Sequence, residues 1–76
     1  MEIRRLKAGA FAPLHADFIR VDALWSGRLS LMGSAGGEHA EIVDLGVHEK
    51  LIDAEAAGLK WADSEGVKEL FVETCP

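Results

Sequence analysis

One cysteine, two prolines and no tyrosine occur among the 76 residues of this chain. No apolar stretch approaches the roughly 18 residues that a membrane-spanning helix needs. The lone thiol, Cys75, excludes an internal disulfide framework, so the fold must be held by its core, and a reducing compartment suits it. It reads as a mobile terminal thiol, without the spacing of a prenylation signal. Basic residues are also few: eight Lys and Arg stand against thirteen Asp and Glu, for a net charge of −5. That balance argues against a sequence-independent grip on nucleic acid, which depends on neutralising phosphates. The leading MEIRRLK has no apolar segment of the kind a signal peptide carries, so the expected location is the cytoplasm.

What is present is the composition of a folded domain. Hydrophobic residues make up 49% and charged residues 28%, which fits a single small globular unit spanning 1–76. Ordering a chain costs on the order of 1.5 kcal/mol per residue, so a core of this size barely outweighs the entropy of folding. Self-association, most simply as a homodimer, is the expected source of further burial. The cations gather early, at Arg4, Arg5, Lys7, Arg20 and Arg28, and the second half is acidic. Two solvated faces account for that polarity.

The strongest pattern runs from Asp53 to Thr74. At 100° per residue Ala54, Ala57, Gly58, Trp61 and Ala62 fall on one stripe, with Asp53, Lys60 and Ser64 opposite. Small residues around one tryptophan predict a helix lying close to a sheet. Gly58 in mid-helix costs roughly 1 kcal/mol against Ala, which close backbone approach would offset. Asp53 suits an N-cap, although the stripe extends back through Leu51 to Val47 and leaves the start open. Gly66 suits the left-handed position after the last turn. A strand, Val67 to Thr74, follows, with Leu70 and Val72 on one face and Glu69, Phe71 and Glu73 on the other.

Upstream, Met1 to Lys7 reads as a short edge strand or a tail, and Ala8 to Asp17 as a loop punctuated by Gly9 and Pro13. Phe18 to Trp25 alternates as a strand with Ile19, Val21, Ala23 and Trp25 on one side and Phe18, Arg20, Asp22 and Leu24 on the other. A three-residue loop, Ser26-Gly27-Arg28, pairs it with a second strand and gives one clean apolar face. Gly33 to Gly37 lacks the Lys-Ser/Thr of a phosphate loop and reads as a hairpin connection. Glu38 to Leu45 is then a third strand, and Gly46 turns the chain towards the helix. The predicted fold is α+β: a mostly antiparallel four- to five-stranded sheet in the order β-β-β-α-β, with one helix on one face.

Chemistry is sparsely signalled. His39 and Glu41 lie two apart, on one face of a strand, and His48 is a third candidate ligand for a metal. The cysteine pair that zinc deaminases with H-x-E require is missing. No serine sits in a nucleophile elbow, and Asp63 with Glu65 or Glu69 with Glu73 read as solvated carboxylates. No catalytic residue and no cofactor is assigned from the sequence.

The succession of strands, a helix opening with Ala54-Glu55 and closing at Gly66, and a strand ending Val72-Glu73-Thr74 resembles the first half of a ribonuclease H-like fold, over roughly Phe18 to Thr74. In that family carboxylates on the first strand, at the helix start and after the last of these strands bind two magnesium ions. The resemblance places Asp22 and Glu55 in the first two positions. Cys75 stands where the third aspartate would be, so it implies a degenerate half-domain without an intact catalytic set.

One helix covers only one side of such a sheet. The other side would carry Phe18, Leu24, Met32 and Phe71 among Arg20, Asp22, Glu69 and Glu73, an apolar patch with a charged rim. The functional expectation is a non-enzymatic module that works through homodimerisation or another protein partner, by this face or by an edge strand. A small-ligand or metal-binding protein is the alternative.

Overall fold

A computed structural model describes residues 1–7 and 9–75. Ala8, the first residue of the expected loop, lies outside the described residues. Along the chain come β1 (Glu2–Arg5), β2 (Phe18–Ala23), β3 (Leu29–Ala35), a short 3₁₀ turn (Gly37–His39), β4 (Glu41–His48), α1 (Leu51–Ser64) and β5 (Glu69–Cys75). All five strands belong to one sheet in the order β1-β5-β2-β3-β4. The small α+β architecture with a single helix is as expected.

The sheet is mixed, however, and not mostly antiparallel. The meander pairs β2 with β3 and β3 with β4 antiparallel, while β5 runs parallel to both β2 and β1. A helix-length crossover returns the chain in the direction in which it left β4, and β5 lands beside β2, which also runs that way. The N-terminal segment then adds outside β5. Two crossovers result: α1 on one face joins β4 to β5, and Leu6–Asp17, apart from Ala8, joins β1 to β2 past β5 on the other. They travel in opposite directions on opposite faces, so they share one hand.

The core lies under the helix. Ile19, Val21, Leu31, Leu70 and Val72 from the sheet, Ala54 and Ala62 from α1 and Val67 after it are all buried. Close approach is achieved by a reciprocal fit. A Cβ on Gly58 would lie 2.5 Å from Ile19 Cδ1, and a Cβ on Gly33 would lie 2.6 Å from Trp61 Cζ3. Thus a helix glycine receives a sheet isoleucine and a sheet glycine receives the helix tryptophan, both at separations that no real Cβ tolerates.

The helix starts at Leu51, with Lys50 at the N-cap position making no side-chain cap hydrogen bond. Asp53 is therefore not the cap; it sits in the first turn, near the positive end of the dipole. Leu51 is exposed and so lies off the buried stripe. At the other end Gly66, with φ of 74°, donates to the Asp63 carbonyl at 3.1 Å, and Val67 donates to that of Ala62 at 3.1 Å. Those two bonds form the Schellman closure that the glycine predicted.

The first hairpin shows how a parity argument can succeed while a register fails. Ala23 pairs with Leu29 and Val21 with Leu31, so the loop is Trp25-Ser26-Gly27, one residue earlier than expected. It still has three residues, so every side chain keeps its expected face. Gly27 has φ of 83° and donates to the Leu24 carbonyl at 3.0 Å, and a turn of this kind needs its left-handed residue last. The shift removes Trp25 from the strand and leaves it fully exposed at the tip. Cys75 is corrected too: it is the last residue of β5, half-buried and paired with Asp22.

Candidate functional site

The register places side chains of the helix-free face in rows. Arg4, Phe71, Phe18, Ser34 and Ile42 form one row across β1, β5, β2, β3 and β4; Glu73, Arg20, Met32 and Asp44 form the next; Cys75, Asp22 and Ser30 form a third. Phe18, Met32 and Phe71, three of the four expected interface residues, do share this face and are half-buried. Leu24 lies beyond the end of β2, in the hairpin, and is exposed.

The face is not simply open. The segment Gly9–Asp17 crosses it as a strap. Leu6 donates to the Val72 carbonyl at 3.0 Å as the chain leaves β1, the Ala12 amide donates to the Glu73 carboxylate, and the Phe11 ring lies 5.8 Å from the Arg20 guanidinium. Asp17 fastens the far end. Its carbonyl accepts from the Phe71 amide at 3.0 Å, and its Oδ1 accepts from the Gly36 amide at 3.1 Å. One amide of the glycine-rich loop is thus engaged by a carboxylate of the same chain, as suits a structural connection.

Glu73 is the polar surprise. Expected on the charged rim, it is only 4% exposed, beneath the strap and beside Arg20 in the neighbouring strand. Arg20 itself donates from Nε to Asp22 Oδ1 at 3.2 Å, and that hydrogen bond is the main cause that holds the guanidinium above its usual pKa. No sequence period could reveal this, because the strap that covers Glu73 comes from a segment 61 residues away.

The uncovered part of the face lies towards β4. Its exposed apolar residues are Ile42, 67% accessible, and Val47 on this face, with Val43 on the helix side. Between the strap and β4 a shallow depression of about 310 Å³ is lined by Pro13, Leu14, Phe18, Ser34 and Ile42. The two edges of the sheet differ sharply. β1 is short and reads Glu-Ile-Arg-Arg, with Arg4 tied to Glu69 and Glu2, whereas β4 is the longest strand and reads Glu-Ile-Val-Asp-Leu-Gly-Val-His. Charged, short edges resist further strand pairing, and long apolar ones invite it. A bulge at Leu45-Gly46 leaves Glu41–Asp44 as the regular part of the β4 edge.

The proposed metal ligands are spread apart. His39 ends the 3₁₀ turn, Glu41 opens β4 and His48 closes it, roughly 23 Å from Glu41 at about 3.3 Å per strand residue. His48 Nε2 donates to the Leu45 carbonyl at 3.2 Å and, with Asp44 Oδ1 accepting from the Gly46 amide at 2.9 Å, supports the bulge. Among the described residues no group of three His, Cys, Asp or Glu is placed to hold a metal.

The carboxylates assigned by the nuclease resemblance are also separated. Asp22 points to the strap side with Arg20, while Glu55 lies on α1, across the sheet, in a two-pronged ion pair with Arg5 at 2.8 and 3.2 Å. Beside α1 the residues at these strand ends are Ala23 and Thr74, so an alternation of period two puts Asp22 on the wrong face. No helix among the described residues is long and apolar enough to cross a membrane. Comparison with protein-family models, with curated proteins and with solved structures gives no match.

Proposed function

We propose that this chain is a protein-association module that pairs with a second copy of itself along β4 and the neighbouring uncovered sheet face. The observation that carries the reading is the contrast between the two sheet edges. One edge is four residues long and charged; the other is eight residues long and exposes Ile42, Val43 and Val47. Antiparallel addition of β4 to a partner's β4 would satisfy outward backbone groups and cover those side chains, extending each five-stranded sheet into a continuous one. Phe18 and Phe71 contribute less than the sequence suggests, because the strap shields them; Met32 and Ile42 stand nearer the free edge.

The test is oligomeric state by light scattering at micromolar concentration. A dimer that Ile42→Lys converts to a monomer supports the assignment, and the side chain is exposed enough for the substitution to leave the fold intact. A wild-type monomer across the accessible concentration range removes it.

A further inference from the structure

We propose that Gly9–Asp17 is a removable strap, latched by Glu73, that opens as a unit while the sheet and helix stay folded, and so controls how much apolar sheet face is available. The inference rests on the self-association reading for its consequence, but its physical basis is independent of it. Three features distinguish the strap from the rest of the chain. It is held at separate points: the Asp17 carbonyl and carboxylate at one end, the Glu73 carboxylate under the Ala12 amide in the middle, and Phe11 against Arg20. It inserts no large apolar side chain into the core: Phe11 and Leu14 are 73% and 86% exposed, and the half-buried positions are the small Ala12 and Ala16 and the fastening Asp17. His15 has φ of 65°, a left-handed conformation that costs a non-glycine residue energy and that release of the strap would relieve.

A segment with few buried apolar contacts opens at much lower free energy than the core. What lies beneath is the reason opening matters. Phe18 and Phe71 are half-buried in the strapped state, and Glu73 is buried with them. Lifting the strap exposes Phe18 and Phe71 in the row that ends at Ile42, enlarging the apolar surface beside β4. Glu73 is the element that makes the closed state specific, since its carboxylate meets the Ala12 amide only when the strap is seated.

Hydrogen exchange read amide by amide tests this in the wild-type protein and in Glu73→Ala. The expected result is that Ala12 exchanges at least tenfold faster than Ile19, Val21 and Val72 in the wild type, through an opening insensitive to low denaturant. Glu73→Ala should raise the Ala12 rate a further tenfold relative to those core amides. Strap and core amides exchanging together in the wild type would overturn the proposal, even where the variant fails to fold. Phe11→Ala, at an exposed position, gives a second arm: it should speed strap exchange severalfold, and an unchanged rate would count against the Arg20 contact as a fastening. Light scattering of Glu73→Ala then separates the two ideas. Stronger association supports the unmasking; an open strap with unchanged association removes that consequence, while the Ile42→Lys result judges the β4 interface by itself.

Discussion

Replacing Gly33 with alanine adds one methyl group at the tightest contact between helix and sheet. Its Cβ would stand 2.6 and 2.8 Å from Trp61 Cζ3 and Cη2 and 2.9 Å from Leu45 Cδ1. Two of these three atoms belong to a rigid indole, so the ring or the helix that carries it must move. Overpacking of this kind costs about 1–3 kcal/mol. Relief of glycine's backbone entropy in a strand returns roughly 0.5–1 kcal/mol, leaving the clash dominant. A net loss of about 1–2 kcal/mol lowers Tm by roughly 5–15 °C in a domain of this size. Thermal unfolding by far-UV circular dichroism measures it, and a double-mutant cycle assigns the cause. In a Trp61→Leu background the cost of Gly33→Ala should fall by more than half, because the remaining neighbour, Leu45, is flexible. A neutral Gly33→Ala, or a cost that Trp61→Leu leaves unchanged, would refute the interlock.

Other consequences follow from the same geometry. Gly66→Ala forces a side chain into the left-handed position that closes α1; nothing lies within 4 Å of the new Cβ, so the cost is conformational, about 1–2 kcal/mol by chemical denaturation. Arg5→Gln removes the pair with Glu55, whose hydrogen bond holds the guanidinium above its usual pKa. Because that raised value is far above neutrality, the contribution is constant from pH 6 to 9. As an exposed, solvent-screened pair it is worth less than about 1 kcal/mol, and the difference between variant and wild type should vanish in 1 M salt. Leu31→Ala empties a fully buried site and costs about 2–5 kcal/mol, enough to leave a large unfolded fraction at 37 °C.

Local patterns in the sequence were enough to place the helix and its buried stripe. Ala54, Gly58 and Ala62 are buried, Trp61 and Ala57 flank them, and Gly58 approaches a sheet residue as its cost in a helix implied. The faces of β2 and β5 followed from alternation, and the closing glycine from its need for positive φ. What stayed hidden was non-local. Gly33 looked like the start of a flexible loop because a glycine cluster follows it, yet it lies inside β3, where the tryptophan of a distant helix demands its missing side chain. The parallel position of β5, inside the sheet and not at its edge, depends on which strand the crossover reaches, and no residue pattern encodes that choice. The covering of Glu73 and Phe71 likewise depends on the strap's path. The large apolar residues of that segment, Phe11 and Leu14, are both exposed and give no sequence sign of where it docks. The candidate surface therefore moved from the middle of the sheet to its β4 side, where Ile42, absent from the expected interface set, is the most exposed apolar residue of the strand.

The central claim is that the free edge of β4 joins two copies of the chain. Sedimentation equilibrium of the wild type beside Ile42→Lys, from low to high micromolar concentration, tests it most directly. The account predicts a concentration-dependent dimer for the wild type and a monomer of unchanged secondary structure for the variant; a wild type that remains monomeric, or a dimer that Ile42→Lys leaves intact, contradicts it.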